Sequence, residues 1–249
     1  MLPHEDVMGH FDDATELITH AQRTLPRIKQ AYDESLHEQT VKPTLRIEIK
    51  NLLENLRSAL DYCAHGLFDA FGSSAILNPR IYFPYAKMSE TQAQFRSANR
   101  IEKCIPGITS SRPDIVARIE AYQHYSDPSN RWLPLFMAMI NENKHKYLTP
   151  QTRHEKRGLE VRSGGAAIKL GPGVSIGLGT GASMSIGDVH IAGGQRISGE
   201  SPARLSGSGQ QTVTIWVSFT FDNNGEEVLS FLETAVNETE AIVAELASR

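Results

Sequence analysis

Arg57, Asp61 and His65 recur at intervals of four, so on a helix they stand in series along one face, each within reach of the next. A carboxylate beside an imidazole orients the ring and favours its charged form, and an arginine close by supplies a fixed positive charge suited to phosphate. The triplet therefore offers a proton carrier next to an anion clamp. The same spacing also describes a solvated ladder of i,i+4 ion pairs, each worth a few tenths of a kcal/mol. A second group is Asn141-Glu142-Asn143-Lys144-His145-Lys146, in which Asn141 and His145 share a helical face with Lys144 beside it. Basic residues near a helix C-terminus are also favoured simply by the helix dipole. From Lys144 to Arg157, five Lys/Arg accompany one acidic residue, Glu155, in a chain of net charge −4. Such a run attracts phosphate, or serves only solubility, and Tyr147 adds a ring on which a base can stack.

The first triplet lies in the stretch Pro43 to Phe71, which reads as a long amphipathic helix. Leu45, Ile49, Leu52, Leu53, Leu56, Leu60, Cys63, Ala64, Leu67, Phe68 and Phe71 make its apolar stripe, and Gly72 follows as a stop. A helix of this kind buries its stripe against other helices, which predicts a bundle. Residues from about Glu5 to His37 give a preceding helical segment whose stripe includes Ala14, Ile18, Ala21, Ile28 and Tyr32. Pro26 within it predicts a kink or two helices meeting end to end. Asn78-Pro79 and Phe83-Pro84 bracket an extended piece. A short helix is expected over Ser89–Ser97 with Ser89 as its N-cap, then helices over Pro113–Gln123 and Trp132–Lys146.

From Gly158 to Gly209 the composition changes: 14 of the 19 glycines fall here and no Phe, Trp or Tyr does. Val174, Ile176, Leu178, Thr180, Ala182, Met184 and Ile186 alternate with glycine and serine, a period of two that predicts strands with one aliphatic and one nearly bare face. Thr212 to Phe221 alternates likewise, Asn223-Asn224-Gly225 makes a turn, and Glu226 to Ala247 reads as a last helix. The expected fold class is therefore α+β: a mainly α-helical bundle over 1–157, a Gly-rich β-strand insertion over 158–222, and a C-terminal helix over 225–249 that packs back on the bundle.

Several function classes find no motif. Gly177-Leu178-Gly179-Thr180-Gly181 lacks the lysine of a phosphate loop and is followed by strand-like alternation rather than a helix, which removes the dinucleotide fingerprint as well. The nine histidines form no His-Glu-x-x-His and no Cys/His knuckle, and no Gly-x-Ser-x-Gly elbow occurs. The expectation is no metal and no cofactor. No apolar run approaches the roughly 20 residues of a membrane span, and no secretory pattern opens the sequence, so the expected compartment is the cytoplasm, with no membrane partner.

Leu56-Arg57-Ser58-Ala59-Leu60-Asp61-Tyr62, with the later Asn141-x-x-Lys144-His145, resembles a group of bacterial proteins that in turn look like the HEPN (higher eukaryotes and prokaryotes nucleotide-binding) superfamily. The resemblance covers residues 10–150 and the last helix. It implies a helical bundle, commonly dimeric. Many members are metal-independent ribonucleases of toxin–antitoxin and phage-defence systems, and others are non-catalytic. The superfamily site is an arginine followed, four to six residues on, by a histidine. Arg57 matches the arginine, but Tyr62 stands at the histidine position and His65 comes one turn late. A tyrosine can hydrogen-bond phosphate, yet with a pKa near 10 it is a poor proton shuttle at neutral pH.

The resemblance thus implies RNA cleavage without metal, with Arg57, Asp61, His65 and His145 as catalytic candidates. Tyr62, Asn141, Lys144 and Lys146 are candidates for substrate binding. His65 or His145 would take the 2′-hydroxyl proton while Arg57 and Lys144 stabilise the charged transition state. The alternatives are a non-catalytic homo-oligomeric assembly protein, in which the bare β-face associates, and a nucleotide or small-ligand sensor using the same cleft.

Overall fold

The computed structural model describes residues 5–34, 42–73, 79–145 and 148–248. The chain has an α+β fold, mainly helical, and divides into two compact units: a helical unit up to Thr152 and from Phe221 onward, and a β unit spanning Arg153–Thr220. The β unit begins a few residues before the change in composition, because the basic run Arg153–Arg157 is part of a strand rather than a tail on the helix.

The helical unit is built on α1 (Glu5–Glu34) and α2 (Pro43–Phe71). Pro26 lies within α1, which continues through it as one helix, so the alternative of two helices end to end does not hold. In α2, Pro43 occupies the first turn, where no intrahelical N–H partner is lost, and Gly72 donates its N–H to Phe68 O at 2.6 Å to close the end. Leu52, Leu53, Leu56, Leu60, Cys63, Ala64 and Leu67 are fully buried, as the three-and-four spacing requires. A last helix, α8 (Val228–Ala247), packs against both α1 and α2. Lys29 pairs with Glu233, and Gln22 Nε2 donates to Glu240 Oε2 at 2.9 Å, so α8 runs antiparallel to α1.

Between α2 and α8 come α3 (Gln92–Ser97), α4 (Arg100–Cys104), α5 (Ile108–Ser111), α6 (Pro113–Ala121) and α7 (Trp132–His145). The cap of α3 is Thr91 rather than Ser89: its hydroxyl accepts from Gln94 N, and Gln94 Oε1 accepts from Thr91 N. The Ser/Thr-x-x-Gln spacing occurs twice in succession here, and Lys87–Glu90 is occupied by a turn closed by Glu90 N to Lys87 O.

The extended piece ahead of α3 is held by two side chains. Asp61 Oδ1 accepts from Phe83 N at 2.9 Å, and Gln123 Oε1 accepts from Ala86 N at 2.8 Å. Gln123 is only 1% exposed, and its Nε2 donates to Ile119 O at 2.9 Å and Pro84 O at 3.3 Å, so a buried amide satisfies backbone that no sheet could.

The β unit contains three small antiparallel arrangements. β1 (Gln151–Ser163) lies between β2 (Ala166–Leu170) and β8 (Gln210–Phe221); β3 (Ser175–Gly177) pairs with β6 (Arg196–Ser198); β5 (Val189–Ala192) lies between β4 (Ser183–Ile186) and β7 (Leu205–Ser206). The alternation from Val174 to Ile186 is divided between β3 and β4. Gly181, at φ +88°, reverses the chain in a turn closed by Ala182 N to Gly179 O, sending the two halves into different sheets. The register sets Val161 opposite Ile168, Ile176 opposite Ile197, and Met184 opposite Ile191. Leu159, Val161, Leu170, Ile186, Val189, Ile191 and Ile197 form one aliphatic core.

Candidate functional site

Arg57, Asp61 and His65 follow one another along α2 as their spacing requires, yet they do not act as a single relay. Arg57 Nε lies 3.5 Å from Asp61 Oδ2, and Arg57 Nη1 reaches Asn141 Oδ1 on α7 at 3.4 Å. The α2–α7 packing on which a shared site depends is thus present, and the Arg57 guanidinium reaches across it. Asp61 uses its other oxygen on Phe83 N, so this carboxylate fixes the extended piece as well as the arginine. Phe83 is itself buried, and its N–H would otherwise have no partner.

His65, one turn beyond Asp61, meets α1. Its ring lies 5.4 Å from that of His10, centroid to centroid. His10 in turn places Nε2 3.1 Å from Asp69 Oδ2 and stacks its ring on Tyr62 at 5.9 Å and 24°. Gly66 permits this closeness: a Cβ there would come within 2.6 Å of the Phe11 ring, so only glycine lets α1 approach α2 at this level. Burial, with the adjacent His10 adding to it, lowers the pKa of His65 below its ordinary value, while Asp69 and Asp61 oppose the shift. The ring is consequently neutral near pH 7, the form that accepts a proton. Tyr62 is 37% exposed, so its ring is open to solvent on one side and backed by His10 on the other.

Sequence reasoning missed His10 and Asp69. Asp69 was within reach, because it extends the four-residue series by one more turn from His65. His10 carries no such signal, since its place depends on how α1 registers against α2.

Asn141 is exposed on α7. Positions 144 and 145 lie in the last turn of that helix, one turn beyond Asn141, but the side chains of Lys144 and His145 fall outside what the structure describes, as does all of Lys146. Of the remaining basic run, Arg153 and Arg157 both pair with Glu155, and His154 Nε2 lies 2.9 Å from Thr220 Oγ1. One carboxylate thus serves two guanidiniums, and the run keeps a net positive charge.

The two cysteines are free and buried. Burial pushes the Cys104 thiol up, against a hydrogen bond with the Tyr82 phenol, which makes it a poor nucleophile. No helix among the described residues is long and apolar enough to cross a membrane. Comparison of the chain with family models, with curated proteins and with solved structures returns no match.

Proposed function

We propose that the helical unit is an HEPN-like RNA-binding module that cleaves RNA without a metal ion. The observation that carries this reading is the placement of the His65 ring 5.4 Å from His10, which is itself paired with Asp69 and stacked on the exposed Tyr62 ring. In this reading His65 takes the proton of a 2′-hydroxyl, whose oxygen attacks the adjacent phosphorus. The P–O5′ bond breaks, giving a 2′,3′-cyclic phosphate and a 5′-hydroxyl once the leaving oxygen is protonated. Tyr62 offers a stacking surface for a base. Arg57 stands two turns from His65, about 12 Å along the helix, so it grips a neighbouring phosphate rather than the scissile one. Asn141 extends that contact onto α7, where Lys144, His145 and Lys146 follow in the sequence.

A specific observation favours a second, non-catalytic reading. Asp61 is engaged by Phe83 N and Arg57, and Arg57 by Asp61 and Asn141, so this part of the stripe already has a structural use. In that case the protein binds RNA or another ligand, or assembles as a homo-oligomer, without turnover. Its toxin or defence role and a cytoplasmic location belong to the first reading.

Incubation of mixed RNA with the purified protein in EDTA tests the choice, beside His65→Asn, His10→Asn and Arg57→Ala variants checked for folding by circular dichroism. Cleavage by the wild type that His65→Asn removes, leaving 2′,3′-cyclic ends, supports the nuclease. Absence of cleavage with retained RNA binding transfers the reading to a binding module. Equal cleavage by all four proteins identifies a contaminant and sinks the catalytic reading.

A further inference from the structure

The β unit is the basic part of an acidic chain: from Arg153 to Thr220 it carries seven Lys/Arg against four Asp/Glu. Its carboxylates are largely spoken for. Glu155 pairs with Arg153 and Arg157, Glu160 with Arg162 and Lys169, and Asp188 with the hydroxyls of Ser163 and Ser208. Arg196 and Arg204 have no carboxylate partner among the described residues, and both line one open groove of about 740 Å³. His190 joins them there, and no acidic side chain lines it.

The groove is built rather than incidental. Gln195 spans it, with Nε2 donating to Ala192 O and Oε1 accepting from Arg204 N, both at 2.9 Å, which ties the 192–196 turn to the 201–206 segment. Ser198 Oγ accepts from Glu200 N at 3.2 Å and Ser201 N at 3.1 Å, fixing the bend between β6 and that segment. Arg196 Nε donates to Ser175 Oγ at 3.0 Å, which orients the guanidinium and leaves its terminal nitrogens available. Two arginines lining one open trough without a carboxylate beside them suit an extended anionic strand contacted through its phosphates. A trough this open does not suit an enclosed small molecule.

We infer that this groove is a phosphate-contacting surface through which the β unit binds a single-stranded RNA backbone without reading its sequence. The identity of the strand rests on the RNA reading proposed above; the groove's preference for phosphate rests on Arg196 and Arg204 alone. Neither arginine is assigned any part in the cleavage chemistry.

The test uses the full chain and a fluorescent 2′-O-methyl oligouridine, which binds as RNA does but has no 2′-hydroxyl to react. Anisotropy titrations across a salt series are compared for the wild type, Arg196→Ala, Arg204→Ala and the double variant, with circular dichroism as the folding check. Each arginine removed is expected to lower the slope of log affinity against log salt by about 0.7, equally for oligouridine and oligoadenosine of the same chemistry. An unchanged slope in a folded double variant overturns the groove assignment while leaving cleavage, read separately through His65→Asn, untouched. Failure of the wild type to bind the strand overturns it as well. In that case a shift in the Arg196 and Arg204 Nε–Hε resonances with inorganic pyrophosphate would make the groove a site for small phosphates instead.

Discussion

His10 and His65 face each other from two antiparallel helices, their rings 5.4 Å apart, while the outer nitrogen of His10 is tied to Asp69. Burial, with the neighbouring His10 ring adding to it, holds the pKa of His65 below its ordinary value.

The first prediction concerns pH. Because the folded-state pKa of His65 lies below its ordinary value near 6.5, the unfolded chain binds the proton more readily than the folded one. This contribution to stability is complete above about pH 6.5 and is lost as pH falls through the folded-state value. Urea unfolding from pH 8 down to pH 5 is expected to show declining stability over that interval, and His65→Asn is expected to flatten the decline. An identical slope in the variant would assign the pH dependence to other groups.

Asp61 gives a sharper contrast. Asp61→Ala leaves Phe83 N without a partner in a buried setting and is expected to cost about 1–3 kcal/mol. Asp61→Asn retains an acceptor oxygen and is expected to cost less than half as much. Chemical denaturation of both variants checks this; equal losses would mean that the charge, rather than the hydrogen bond, holds the extended piece.

Gly66→Ala is expected to destabilise by roughly 1–3 kcal/mol, since the new methyl meets the Phe11 ring and must push α1 from α2. The same displacement should separate His10 from His65, raising the His65 pKa toward its ordinary value by relieving burial and repulsion together. A titration of the His65 ring protons by NMR reads this directly. A destabilised variant with an unmoved titration would detach the pKa from helix spacing.

The β unit enters and leaves at adjacent points. Thr152 Oγ1 donates to Asp222 Oδ1 at 2.8 Å, and Asp222 N donates to Pro150 O at 3.0 Å. Replacing residues 153–220 by a short Asn-Gly turn is therefore expected to leave the helical unit folded, with its helical circular dichroism retained and a single cooperative transition. Loss of cooperative unfolding in the shortened chain would show that the helical unit depends on its insertion.

The long helices were legible because a stripe of buried side chains must repeat at 3.6 residues, and Leu45 to Leu67 do so without interruption. The cap of α3 was misplaced by two residues because Ser89 and Thr91 satisfy the same local rule and only backbone geometry separates them. The Val174–Ile186 alternation was correct in period but silent about the reversal at Gly181, since a glycine in a bare strand face and a glycine at positive φ look alike in sequence. At the candidate site, contacts along α2 followed from spacing, whereas His10 and Asn141 came from helices whose register against α2 is a tertiary property. The engagement of Asp61 by Phe83 N was equally hidden, because an extended piece does not announce which side chain will satisfy it.

The placement of α8 after the β unit also bears on synthesis. α8 buries Val228, Leu232, Ala235, Val236, Ile242, Val243 and Leu246 as it packs against α1 and α2. At ordinary translation rates of about 5–20 residues per second, α2 waits roughly 10–30 s for that cover, while the whole insertion leaves the ribosome between them. During this interval the nascent α1–α2 hairpin exposes an aliphatic groove matched to α8. A separately supplied copy of α8 is thus expected to compete with the chain's own last helix for that groove.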